Sequence, residues 1–157
     1  MRTMTDSDKP SLAESDFRYV LTIPTRWIDN DVYGHVNNVV YYAYFDTVIN
    51  RYLIEAGGLD PHAGAEIGLC VESRCSYVAP AAYPEELDAG MVVLRLGRSS
   101  VRYGLGIFRA GADEPVAFGE FVHVFVDRTE RKSVAVPERL RAALAAIARD
   151  ESAGSGG

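Results

Sequence analysis

The stretch Val36-Asn-Asn-Val-Val-Tyr-Tyr-Ala-Tyr-Phe-Asp-Thr-Val-Ile-Asn-Arg-Tyr-Leu-Ile-Glu-Ala56 decides the fold. Its apolar residues fall at Val40/Tyr41, Tyr44/Phe45, Val48/Ile49 and Tyr52/Leu53, a four-residue recurrence that predicts a helix over Val36 to about Ala56. Only a narrow stripe near Asp46, Asn50 and Arg51 is polar, so most of this helix must be covered. Gly57-Gly58 supplies the stop. The rest of the chain reads mainly as strand. Phe17 to Trp27 alternates, with Phe17, Tyr19, Leu21 and Ile23 on one side and Pro24 marking an edge or bend. Further strands are expected at about 67–79, 86–97, 100–110 and 115–127. A curled antiparallel sheet of about five strands around one long helix satisfies both patterns, an α+β class. Gly104 and Gly106 on one face of the fourth strand suggest sharp curvature beside the helix. Pro137 opens a short surface helix over 137–150, with Leu140, Leu144 and Ile147 at helical spacing.

At 157 residues the chain is expected to hold one domain, 17–150, between a disordered lead, 1–16, and a flexible tail, 151–157. Its 48% apolar and 24% charged content is ordinary for a globular protein, with no run as long as a membrane span. The start is polar rather than secretory, so a cytoplasmic location is expected. Cys70 and Cys75, at odd spacing on one predicted strand, should point to opposite faces and stay unpaired. His35, His62 and His123 are scattered, so no metal is expected. The net charge of −6 argues against nonspecific nucleic-acid binding. A sheet covering one helix leaves a long apolar edge, which predicts a homodimer or homotetramer.

The chemistry lies just before the helix, in Arg26-Trp-Ile-Asp29-Asn-Asp31-Val-Tyr33-Gly34-His35-Val-Asn37-Asn38. A helix start leaves amide N–H groups unpaired beside a partial positive charge, where an oxyanion or a polarised carbonyl can sit. Asp31, a few residues upstream, supplies a base or nucleophile, so one segment offers both roles that attack on an acyl carbon needs. As a lone Asp near a helix start, Asp31 also reads as a cap or turn former. Asp29 reads as structural, holding the loop or pairing with Arg26.

This segment resembles the signature of hotdog-fold acyl-CoA thioesterases of the 4-hydroxybenzoyl-CoA thioesterase type, and is similar to that of acyl-carrier-protein thioesterases. Tyr77-Val78-Ala79-Pro80 resembles the end of that family's second strand, and Leu96-Gly97-Arg98-Ser99-Ser100-Val101-Arg102-Tyr103 its central hairpin. The resemblance spans Phe17 to Val126. It implies the hotdog fold, with the helix running through the curled sheet, active sites at a dimer interface, and a catalytic role for Asp31. It also implies an oxyanion role for the helix start, which falls on the amides around Gly34, His35 and Asn38, while the His35 side chain is a further acid–base candidate. Arg98, Ser99, Ser100 and Arg102 become coenzyme A contacts, ahead of Arg74 and Arg95, and Tyr33 a substrate contact. The aromatic set Tyr33, Tyr41, Tyr44, Phe45 and Tyr52 is read first as core. The expected reaction is hydrolysis of an acyl-CoA thioester without metal or redox cofactor. The absence of a Gly-x-Ser-x-Gly elbow disfavours an α/β-hydrolase. An acyl-carrier-protein thioesterase, a hotdog enoyl-CoA hydratase and a non-catalytic acyl-CoA binding module are the alternatives.

Overall fold

The computed structural model describes residues 12–149. In chain order the elements are β1 (Tyr19–Pro24), α1 (Val40–Glu55), β2 (Glu66–Tyr77), β3 (Glu86–Leu96), β4 (Ser100–Arg109), β5 (Pro115–Asp127) and α2 (Glu138–Ala146). The strands form one sheet of order β1-β3-β4-β5-β2, antiparallel at every junction. The tail, 151–157, and residues 1–11 of the expected lead lie outside the described residues, while Glu14–Asp16 form a 3-10 turn whose Glu14 amide donates to Asp113 Oδ1.

The helix follows its apolar pattern. Tyr41, Tyr44, Phe45, Val48, Ile49, Tyr52 and Leu53 are buried, and they join Leu87, Ala89, Met91, Tyr103, Leu105 and Phe121 of the concave sheet face in one core. Truncating Phe45 or Leu53, both fully buried, should cost about 3–5 kcal/mol through lost transfer energy and the cavity left behind. The helix starts four residues later than its apolar pattern suggests. Val36 is extended, bridging Asn30 and donating its N–H to Ala81 O at 2.7 Å, and Asn37 turns the chain by accepting the Val39 amide on Oδ1 and the Val40 amide on its carbonyl. Asn favours such local side-chain bonds over helix, and the first turn yields to them.

Three expectations fail for related reasons. Phe17 does not share a face with Tyr19, Leu21 and Ile23; it crosses to the convex side and packs with Val92, Phe108 and Phe118. Gly106 lies under that ring, where a Cβ would come within 2.7 Å of Phe17 Cζ. The strand glycine therefore permits a close approach on the outer face rather than curvature beside the helix. Cys70 and Cys75 lie opposite His123 and Gly119, an even spacing on β5, because a bulge between Cys70 and Glu72 inserts one residue. Both thiols thus share the helix side of the sheet, and both are free.

Among the described residues β2 pairs only with β5, so its other edge is open along the strand. The β3–β4 hairpin is buttressed by the C-terminal segment: Arg141 donates to the Gly97 and Arg98 carbonyls at 2.8 and 2.9 Å, and the Val136 amide to Arg98 O at 2.8 Å.

Candidate active site

The segment between β1 and α1 closes on itself. Asn30 and Val36 form a bridge, the Asp31 amide donates to His35 O at 2.9 Å, and the Gly34 amide donates to Asp31 O at 3.0 Å. Gly34 has φ +82°, a left-handed conformation that a residue with a Cβ adopts only under strain. Asp31 Oδ1 accepts the Tyr33 amide at 2.8 Å, so the turn-forming role of this Asp is realised, and its other carboxylate oxygen has no partner among the described residues. Asp31 is half-exposed.

Asp29 is 1% exposed and anchors the segment. Its Oδ1 accepts Arg26 Nε and Nη2 at 3.0 and 2.8 Å, and its Oδ2 accepts the Arg26 amide at 2.9 Å and the Tyr44 hydroxyl at 2.8 Å. Its carbonyl accepts the Asn37 amide at 2.9 Å, tying the loop to the helix entry. Burial alone would raise its pKa, but the Arg26 and Tyr44 hydrogen bonds prevail and hold the carboxyl below the usual carboxylate range. Burial and the neighbouring Asp29 carboxylate push the Tyr44 phenol up, so it stays a proton donor in this pair.

A cavity of about 320 Å³ opens beside the helix entry, walled by His35, Val36, Asn38, Tyr41 and Tyr77 to Pro80. Asp31 does not wall it directly; it is joined to it through the His35 carbonyl. The Tyr77 hydroxyl donates to Asn38 O at 2.8 Å, pinning the first turn to the end of β2, and the Tyr41 and Tyr77 rings meet edge to face at 5.4 Å. Burial pushes the Tyr41 phenol up to about 12 and the Cys75 thiol up to about 11, so neither ionises near neutrality. The His35 and Asn38 amides donate to no acceptor among the described residues. Asn37, by contrast, has its amide and side chain committed to the turn.

Of the expected site residues, Asp31, Gly34 and His35 share one hydrogen-bonded turn, and His35 and Asn38 share the cavity wall, while the Gly34 amide, expected as an oxyanion donor, is taken by the Asp31 backbone carbonyl. Tyr33 adjoins them but is 84% exposed and no part of the core, in contrast to Tyr41, Tyr44, Phe45 and Tyr52. The hairpin residues Arg98, Ser99, Ser100 and Arg102 lie elsewhere. The ten residues of β4 run from that hairpin to Arg109, whose Nη2 donates to Pro80 O on the cavity wall, so about 30 Å of strand separates the two groups in one chain. Arg102 lies between Glu72 and Glu120 at 3.4 Å each, and Arg74 pairs with Glu120, so these two charges are not free for a phosphate as the chain stands. Arg98 is exposed with no ion pair among the described residues. Sequence reasoning missed the Asp29–Tyr44 and Tyr77–Asn38 bonds, which join residues 15 and 39 positions apart and leave no local pattern. Among the described residues no three His, Cys, Asp or Glu side chains converge as a metal site requires, and no helix is long and apolar enough to cross a membrane.

Residues 24–144 match the family model described as the thioesterase-like superfamily. No curated protein matches the chain. Among solved structures, the PA5185 protein of Pseudomonas aeruginosa is 52% identical, with a TM-score of 0.88 over 90% of this chain and 99% of its own. The PA2801 protein of the same organism is 30% identical, with a TM-score of 0.75 over 80% and 96%. Slr0204 of Synechocystis, a 1,4-dihydroxy-2-naphthoyl-CoA thioesterase, is 17% identical with a TM-score of 0.74 over 81% and 95%, a likeness of fold. The curled five-stranded sheet and its central helix are the hotdog fold.

Proposed function

Because the chain belongs to the thioesterase-like superfamily, we propose that it hydrolyses an acyl-CoA thioester to a free carboxylic acid and coenzyme A, with Asp31 as the reacting carboxylate. The observation that carries this reading is a turn that bears a half-buried carboxylate, one oxygen of which is uncommitted, and leads through His35 and Asn38, whose amides are free, into the wall of an aromatic-lined cavity. The thioester carbonyl oxygen would point at those amides, which gain most as negative charge develops on it. The free Asp31 oxygen either takes a proton from an attacking water or attacks the carbonyl carbon to give an anhydride that water then opens. In both routes the C–S bond breaks, and the thiolate leaves and takes up a proton. In the first, water supplies the new oxygen of the acid. In the second, Asp31 gives one of its own oxygens to the acid and is refilled by the water that opens the anhydride at the side-chain carbonyl of Asp31. A single turnover in oxygen-18 water separates the routes. Label in the protein marks the anhydride, and label only in the product excludes an anhydride opened at the side-chain carbonyl of Asp31.

The open edge of β2 and the exposed side chains Trp27, Ile28, Val32, Tyr33 and Val39 around the site loop support a two-fold dimer. Antiparallel pairing of two β2 edges would set the Glu66 end of one copy beside the Tyr77 end of the other. Because Glu66 pairs with Asp127 and Ser100 with Val124, the hairpin of one copy would then share an end with the cavity of its partner. Arg98, Ser99 and Ser100 would meet the coenzyme A phosphates across the interface. Arg98→Glu should raise KM for acyl-CoA more than it lowers kcat; an unchanged KM at low salt would remove that assignment. A coenzyme A substrate accords with a cytoplasmic location.

The test of the main reading is thiol release from short, medium, long and aryl acyl-CoAs by the protein and by Asp31→Asn. Hydrolysis that depends on Asp31 supports the assignment, and no hydrolysis of any thioester overturns it. Running the same acyl group on an acyl carrier protein decides the carrier, and the acidic balance of −6 favours coenzyme A over an acidic carrier.

A further inference from the structure

The loop that carries Asp31 is closed by its own hydrogen bonds, which fix its shape but not its attitude toward the helix. Attitude is set by what reaches the loop from outside. From the segment after β2, the Val36 amide finds Ala81 O and the Tyr83 amide donates to Asn30 Oδ1 at 3.1 Å. From α1 comes the Tyr44 hydroxyl, 2.8 Å from the buried Asp29 Oδ2. Among the described residues this is the only side-chain hydrogen bond from α1 to the Arg26–Asn38 segment. Its acceptor is the residue whose carbonyl also holds the Asn37 amide, so one residue links the loop to the helix body and to the helix entry.

We propose that Tyr44 is a positioning residue for the hydrolysis, acting through Asp29 to hold the Asp31 carboxylate and the His35 and Asn38 amides in one fixed relation. The inference rests on the thioesterase reading given above. Attack on a carbonyl needs the nucleophile and the oxyanion donors placed together within a fraction of an ångström, and these groups sit on opposite sides of the Asp31–His35 turn. Tyr44 touches neither substrate nor reacting atoms. Its ring packs edge to face on Tyr41 at 5.9 Å, so Tyr44→Phe removes the hydroxyl and leaves the packing in place.

The test is a double-mutant cycle on the full chain with the best acyl-CoA of the thiol-release screen. Tyr44→Phe should lower kcat by about 10- to 100-fold while KM stays within about twofold, since misplacement by about 1 Å costs that much. The melting temperature should fall by about 5 °C or less. In an Asp31→Asn background the same change should alter the residual kcat by less than about twofold, because there is no longer a carboxylate to place. Equal fold losses in both backgrounds, or full kcat in Tyr44→Phe, overturn the proposal. Asp29→Asn weakens the same link from the loop side, and additive losses in its cycle overturn it equally. A protein that hydrolyses no thioester, or an Asp31→Asn variant at full rate, instead brings down the underlying reading, so the two failures are distinct.

Discussion

Asp29 and Asp31 stand two residues apart in one loop and have opposite surroundings. Asp29 is buried, with both carboxylate oxygens engaged by Arg26 and Tyr44 and its ionised form stabilised. Asp31 is half-exposed, with one oxygen bonded to a neighbouring amide and the other open. A carboxylate whose lone pairs are all occupied in a dry environment holds structure, whereas one with a free oxygen can take a proton or attack. The difference comes from the 3-10 turn at Trp27–Asp29, which aims Asp29 at the helix, and from the extended residue Asn30, which turns the next side chain away.

Of the two carboxylates, Asp29 should show by far the larger effect on stability when replaced by Ala. Removing the acceptor shared by Arg26 and Tyr44 should cost about 3 kcal/mol, at the lower end for a broken buried pair because Arg26 is largely open to water. Urea unfolding at neutral pH reads it. Because the folded-state pKa of Asp29 is depressed, its contribution is present above the unfolded value and is lost as pH falls through the folded one. Asp31→Ala should cost well under 1 kcal/mol in the same assay, and an equal loss would erase the contrast.

His123 sharpens the contrast, since it lies under the sheet's concave face away from the loop and is also acid-sensitive. It is 4% exposed, with Nδ1 3.2 Å from the Tyr103 hydroxyl, and burial pushes its pKa down to about 4. Its neutral form is favoured in the folded state, so stability should be full above about 6.5 and decline by about 3 kcal/mol as pH falls to about 4. His123→Gln should flatten that decline and leave the limb at lower pH, to which the depressed carboxylates Asp29 and Asp60 contribute, to be read without it. A smaller effect than at Asp29 or His123 belongs to Tyr77→Phe. Losing its bond to Asn38 O at a partly exposed site should cost about 1 kcal/mol, a shift of about 2–4 °C in Tm by calorimetry.

Much of this architecture was legible in the amino-acid sequence because it depends on periodicity. The paired apolar residues from Val40 to Leu53 impose a helix, and the strand limits expected at 86–97 and 115–127 fall within a residue of Glu86–Leu96 and Pro115–Asp127. Where the reading failed, one residue broke a period. The bulge at Val71 reverses the faces of Cys70 and Cys75, and Asn37 delays the helix by bonding its own neighbours. The local half of the candidate site, Asp31 to Asn38, is contiguous and so could be read directly. The hairpin half could not be located, because no local pattern records that Arg98 and Asp31 lie at opposite ends of the sheet, or that Arg102 is taken up by Glu72 and Glu120. Tyr44 was visible as a core aromatic, but its hydroxyl's partner across the helix was not.

The most direct test is steady-state hydrolysis of the preferred acyl-CoA by Asp31→Asn, with Tm measured on the same preparation. The account predicts a loss of about a thousandfold in kcat, as befits the removal of a catalytic base or nucleophile, with Tm within about 2 °C of the parent. Turnover at the parent rate by a folded Asp31→Asn protein would contradict it.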